Sequence, residues 1–192
     1  LPIQFDGADR EMRHLRLHNG TIWRWNRPLV GYDNDGTPHL RIEHRVLPAG
    51  PTVVDSIASA AFFYGLVHAL ASSDVIAEGQ LPFATARDNF YAAARDGLNA
   101  QLTWLEGRKL PVQALLLDQL IPLAGHGLEL LEIAAEDCER YLGIVRDRVY
   151  NACTGSNWQC AYLARHHCDM QALTEAYYER QQAGAPVHDW DS

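Results

Sequence analysis

Lysine is nearly missing from this chain: its 192 residues hold fifteen Arg and one Lys, Lys109. Basic residues are outnumbered 16 to 24 by acidic ones, for a formal net charge of -8. That sign excludes a generic binder of nucleic acid or anionic membrane, which needs a broad basic surface. Uninterrupted apolar runs of the roughly 18 to 20 residues that a membrane span requires are also lacking. The N-terminus has no basic region followed by an apolar stretch and a cleavage site. These absences predict a cytoplasmic protein, for which the Asn19-Gly20-Thr21 glycosylation sequon carries no weight. No CxxC pair is present, and the four cysteines (Cys138, Cys153, Cys160 and Cys168) all fall in the last third, in segments that read as helical. Neither a zinc site nor a disulfide framework is indicated, and buried or half-buried thiols are expected instead. The His166-His167-Cys168 run does not change this, because adjacent helical residues point about 100° apart and cannot all face one ion. Internal repeats and low-complexity stretches are missing too.

What is present is a core-forming composition, 47% hydrophobic, with an uneven distribution of charge. Seven Arg and six acids lie in the first 45 residues, making that segment net +1 and the remaining 147 residues net -9. The pattern within that segment is strand-like. From Leu15 to Pro28, Leu15, Leu17, Trp23 and Trp25 share one parity, and Arg16, His18, Arg24 and Asn26 share the other. Turn formers follow from Gly31 to Thr37, with Asp35-Gly36 the strongest pair. A second alternation, Leu40 to Leu47, sets Leu40, Ile42, His44 and Val46 against Arg41, Glu43 and Arg45. Two antiparallel strands of a larger sheet are predicted, since a lone hairpin is only marginally stable.

Beyond Pro48-Ala49-Gly50-Pro51 the chain reads as helical. Thr52 and Asp55 resemble a capping box, and the apolar run from Val53 to Ala69 predicts a core helix buried on most sides. A helix starting near Pro82 should stop at Gly97, and a small hairpin is expected around Glu106-Gly107. Stripes at helical spacing run through Val112 to Leu123, with a kink expected at Pro122, through Cys138 to Val149, and through two shorter helices ending at Gly184. The fold class is therefore α+β: a small antiparallel β element over residues 1–50, then a helical region of five or so helices over residues 51–192.

One strand carries a chemical pattern. Alternation places Arg41, Glu43 and Arg45 on one face, about 6.5 to 7 Å apart, with Leu40, Ile42 and Val46 facing the core. Arg24 on the neighbouring strand adds to that face if the register allows. Guanidinium forks flanking a carboxylate suit phosphate and a divalent cation: Arg grips phosphoryl oxygens in bidentate fashion, and a carboxylate offers the hard oxygen that Mg2+ prefers. The following helix N-terminus offers N–H groups of the kind that bind anions. The alternative is the ordinary solvated face of an antiparallel sheet, which shows the same alternation. Arg10, Arg13, Arg16 and Arg27 have no assigned role.

The runs His18-Asn19-Gly20-Thr21-Ile22-Trp23-Arg24-Trp25-Asn26-Arg27-Pro28 and Leu40-Arg41-Ile42-Glu43-His44-Arg45-Val46-Leu47-Pro48-Ala49-Gly50-Pro51-Thr52 closely resemble the C-terminal half of the second glutamate-cysteine ligase family, the carboxylate-amine ligases. Thr154-Gly155-Ser156-Asn157-Trp158-Gln159 and Ala185-Pro186-Val187-His188-Asp189-Trp190 extend the resemblance over nearly the whole chain. It implies a glutamine synthetase-like catalytic sheet. It also implies an ATP- and Mg2+-dependent ligase that phosphorylates glutamate or a similar carboxylate and lets an amine such as that of cysteine attack the acyl phosphate. Carried over, Glu43 is the implied Mg2+ ligand, Arg45 holds the phosphoryl group or substrate carboxylate, and Arg41 and Arg24 contact nucleotide phosphates. Asn19 lies where the synthetases have another Arg. The resemblance further implies that this chain is a C-terminal fragment of a longer ligase, inactive without an N-terminal half that supplies most acidic metal ligands, and that an exposed sheet edge favours homo-oligomers. Two other functions stay open: a non-catalytic interaction or structural module that retains the strand pattern, and a phosphotransferase acting on guanidino substrates.

Overall fold

The structure, a computed structural model, describes residues 13–21, 24–74 and 76–191. It is α+β, with a small antiparallel β element ahead of a mainly helical region. The chain divides into two compact units, 1–48 and 49–192.

In the first unit a short helix, α1 (Arg13–Thr21), precedes a two-stranded sheet of β1 (Asn26–Tyr32) and β2 (Pro38–His44). This corrects the strand expected from Leu15 to Pro28. The alternation of Leu15, Leu17 and Trp25 is equally open to a helix followed by a bend, and Trp23 of that pattern lies outside the described residues. The strands pair Asn26 with His44, Arg27 with Glu43, Pro28 with Ile42 and so on to Tyr32 with Pro38. A bond from the Arg45 N–H to the Trp25 carbonyl, 2.8 Å, extends the pairing by one step. The connection spans residues 33–37: the Asp33 N–H donates to the Thr37 carbonyl, the Gly36 N–H to the Asp33 carbonyl, and the Thr37 N–H to Asp35 Oδ1. Gly36 sits at φ 84°, which an L side chain rarely adopts. The expected core-facing side of β2 is the second correction. Leu40 is 80% and Ile42 72% exposed, so no core covers them in this unit.

In the second unit α2 (Val53–Ala71) opens on Thr52, whose side chain caps the Asp55 N–H as the capping-box pattern predicts. This helix is long and apolar enough to cross a membrane by length and composition. Here it packs against α6 (Ile121–Leu130) and α7 (Ala135–Tyr150) through Ala58, Ala124, Leu128, Leu142 and Val145. Burial on most sides is corrected as well: its far face stays open, with Val53 80% and Tyr64 63% exposed. The α2–α6 approach depends on glycine, since a Cβ on Gly127 would overlap the Gly65 carbonyl and one on Gly65 the Ala124 carbonyl. Between these elements lie α3 (Ala77–Gln80), α4 (Phe83–Asp96), a hairpin of β3 (Gln101–Thr103) and β4 (Lys109–Pro111), and α5 (Val112–Leu115). The Asn89 side chain fixes that hairpin to α4, accepting from the Thr103 N–H and donating to its carbonyl. The kink expected at Pro122 takes the form of a π turn at Leu116–Leu120, directly before α6. A wider turn relieves the clash between the proline ring and the preceding carbonyls.

A second core gathers Trp158 and Tyr162 of α8 (Gly155–Arg165), Ala176 of α9 (Met170–Ala183), and Val187 and Trp190 of the C-terminal segment. Among the described residues of 51–192 there are thus eight α-helical segments rather than five or so, because several stripes are broken into short pieces. His167 and Cys168 are not helical as expected. Both have positive φ, 53° and 60°, in the turn after α8.

Candidate functional site

Pleating of the hairpin puts odd-numbered residues of both strands on one face. Arg41, Glu43 and Arg45 therefore share that face, as the alternation predicts, and Arg27 of β1 stands directly across from Glu43. Arg27 donates twice to one oxygen, Nε to Oε2 at 2.9 Å and Nη2 to Oε2 at 2.6 Å. Arg45 donates once, Nε to the other oxygen, Oε1, at 3.1 Å. The three side chains are partly covered, with exposures of 18% for Arg27, 34% for Glu43 and 32% for Arg45. Glu43 therefore accepts a guanidinium on each oxygen.

Farther along, Gly31 stands opposite His39. A Cβ at Gly31 would come within 2.5 to 2.9 Å of the His39 ring and Arg41 Nη2, so the bare glycine leaves the space over which those side chains lie. His39 Nε2 is 3.6 Å from Asp33 Oδ1. Three guanidiniums against one carboxylate leave this face with a local surplus of positive charge, in a chain that is acidic as a whole.

The opposite face has a different character. Leu40 and Ile42 are exposed there, and His44 Nδ1 lies 2.7 Å from Asn26 Oδ1. Burial pushes the His44 imidazole below its ordinary pKa. Arg24 precedes β1, is exposed, and by alternation is out of parity with Arg27. The cross-strand guanidinium on Glu43 is accordingly Arg27, which sequence reasoning left without a role, and not Arg24. Asn19 is in α1 rather than on a strand, and its side chain lies outside what the structure describes.

The anion-binding helix N-terminus expected after β2 is not open to a ligand. Thr52 Oγ1 accepts from the Asp55 N–H and donates to Asp55 Oδ2 at 2.8 Å, and the Asp55 carboxylate is fully buried in that first turn. Its Oδ2 also accepts from the Val187 N–H at 3.1 Å, and Oδ1 lies 3.8 Å from Arg148 Nε. This buried carboxylate ties α2 to the C-terminal segment and makes the helix start unsuited to an anion. Burial, with the Asp55 charge adding to it, raises the Cys153 thiol and Tyr177 hydroxyl pKa values. Among the described residues no group of three or more His, Cys, Asp or Glu is placed to hold a metal, the His166-His167-Cys168 turn included.

A family model described as glutamate-cysteine ligase family 2 matches residues 7–183. No curated protein and no solved structure matches the chain.

Proposed function

Because the chain belongs to glutamate-cysteine ligase family 2, we propose that it supplies the phosphate-handling arginine face of an ATP-dependent carboxylate-amine ligase. The observation that carries this reading is the placement of Arg27, Arg41 and Arg45 around Glu43 on one sheet face. The substrates are glutamate or a similar carboxylate and an amine such as that of cysteine, and the setting is cytoplasmic. The donor set fits Mg2+ delivered on a phosphate better than Mg2+ held by protein alone. One half-covered carboxylate beside guanidiniums offers a single hard ligand, and Mg2+ commonly takes one or two carboxylates with phosphate oxygens and water. When bound, Mg-ATP supplies the phosphoryl group that activates the carboxylate.

This chain's residues position and neutralise charge, which is most of what phosphoryl transfer asks of a protein. Arg45 holds the phosphoryl group or the substrate carboxylate, and Glu43 offers an oxygen for the cation. Arg41, with the room left by Gly31, contacts nucleotide phosphates. Arg27 keeps Glu43 in place. Arg24, which precedes β1 and is out of parity with Arg27, is assigned to nucleotide phosphates by the family resemblance alone, as is Asn19. The remaining acidic ligands come from another segment, an N-terminal half, so the 192 residues alone bind Mg-ATP weakly and form no amide.

A second reading is a non-catalytic module that retains the strand pattern, since the Arg27–Glu43–Arg45 ion pairs also serve to hold a solvated sheet face together. The deciding experiment measures ADP release and amide formation by a longer protein that includes this chain, across a panel of amino acids. The ligase reading expects Glu43→Ala and Arg45→Ala each to lower turnover about 100-fold or more, as loss of one preorganised charge partner does in other enzymes. Equal turnover with and without Glu43 selects the module, and robust amide formation by the isolated chain overturns the need for further ligands.

A further inference from the structure

Resting on the ligase reading, the geometry points to an exchange of partners at Glu43, in which Arg27 stays and Arg45 leaves for an incoming phosphate. The two arginines are held unequally. Arg27 is the cross-strand neighbour of Glu43, makes two contacts to Oε2 at 2.6 and 2.9 Å, and is the more covered of the two. Arg45 makes one contact, at 3.1 Å to Oε1, from a position just past the end of β2, and is nearly twice as exposed. It uses only Nε of its five N–H donors on Glu43. A phosphate dianion offers that guanidinium a bidentate partner carrying more charge than one carboxylate oxygen can match. Arg27, gripping through two nitrogens, has no such incentive.

The exchange has a consequence for the cation. While Arg45 sits on Oε1, both oxygens of Glu43 face a guanidinium, and a divalent ion meets positive charge there. Departure of Arg45 uncovers Oε1 and leaves Oε2 with Arg27. Glu43 thus becomes a metal ligand only when phosphate is present, so cation and phosphate enter together. Arg27 is a positioning residue here: it holds the carboxylate in orientation while its neighbour moves.

Arginine Nε–H signals of the 192-residue chain, assigned with Arg27→Gln and Arg45→Gln, would be followed by NMR during a metal-free titration with inorganic pyrophosphate. The Arg45 signal is expected to move and the Arg27 signal to stay. Mn2+ binding would be read by electron paramagnetic resonance without pyrophosphate. Removing the charge of Arg45 should tighten Mn2+ binding about three- to tenfold relative to wild type, as expected from one nearby charge in a mostly aqueous setting, and Glu43→Gln should abolish that gain. The exchange is overturned if both arginine signals move together, if neither moves, or if Arg45→Gln leaves Mn2+ affinity unchanged. Its failure is separable from that of the ligase reading. Movement of Arg45 alone in this chain, with Glu43→Ala fully active in amide formation by the longer protein, sinks the ligase role and keeps the exchange. Loss of activity in Glu43→Ala with Arg27 as the moving residue does the reverse.

Discussion

Gly31 and His44 show how single positions in the hairpin set the chemistry of its two faces. Gly31 is opposite His39, and its missing Cβ is the space taken by the His39 ring and the Arg41 guanidinium. Those atoms are the far ends of flexible side chains, so Gly31→Ala should shift stability by only about 0.5 kcal/mol, in the range of surface substitutions. It should nevertheless push His39 away from Asp33 and move Arg41. Comparing His39 ring shifts by NMR in the two proteins checks this, and unchanged shifts would remove the glycine from the site. His44 reports on the other face. Burial favours its neutral form, so the native chain resists protonation that the unfolded chain accepts near the ordinary value of 6.5. Stability from this residue is complete above that value and declines as pH falls below it toward the native pKa. An NMR titration of His44 should have its midpoint below 6.5, and the pH dependence should shrink in His44→Gln. A midpoint at or above 6.5 contradicts the burial argument.

At the scale of elements, the α2–α6 pair rests on backbone contact. Residues Gly65 and Gly127 face each other so closely that any side chain on either must drive the helices apart. Gly127→Ala should cost about 3 kcal/mol or more in the stability of the second unit, beyond ordinary core overpacking because backbone and not side chain must yield. Urea denaturation followed by circular dichroism measures it. A change within about 0.5 kcal/mol, the scatter of surface substitutions, would mean the helices can separate freely.

The hairpin teaches a different lesson about legibility. Alternation in Leu40 to Leu47 was enough to place Arg41, Glu43 and Arg45 together, because a strand repeats every two residues whatever surrounds it. The partner across the sheet was not readable. A two-residue turn centred on Asp35-Gly36 would pair Glu43 with Pro28, whereas the observed five-residue connection, centred on Asp35, pairs it with Arg27. Half a residue in the turn decides which side chains meet. The first alternation misled for a related reason: Leu15 and Leu17 belong to a helix of nine residues, too short for its period to outvote a strand pattern.

For the second unit as a whole, the C-terminal segment is part of the core. Val187 is fully buried, and Trp190 lies edge-on to Trp158 and Tyr177 at ring distances of 5.1 and 5.2 Å. Asp55, 132 positions earlier, accepts from the Val187 N–H, and Trp158 Nε1 donates to the Asp191 carbonyl. Truncation after Gly184 should therefore leave a buried carboxylate short of a donor and expose Trp158. The expected outcome is a red-shifted tryptophan emission and a loss of several kcal/mol, about 3 or more, combining a lost buried aromatic contact with an unpaired buried polar group. Emission and melting temperature unchanged by the truncation would show the segment to be an appendage.

Sequence alone determined the class of most elements in this protein, α1 excepted. Helix caps at Thr52, stops at Gly97 and Gly184, the small hairpin around Glu106-Gly107 and the arginine alternation of β2 are local, set by backbone geometry within a few residues. It also carried the family, through runs whose residues stand in fixed order. Tertiary structure decided what those elements meet. Register across a turn chose Arg27 for Glu43, a buried Asp55 closed the helix start that an anion could otherwise use, and Leu40 and Ile42 were left exposed where alternation had promised a core. Such outcomes depend on distances between residues far apart in the chain, which periodicity does not encode.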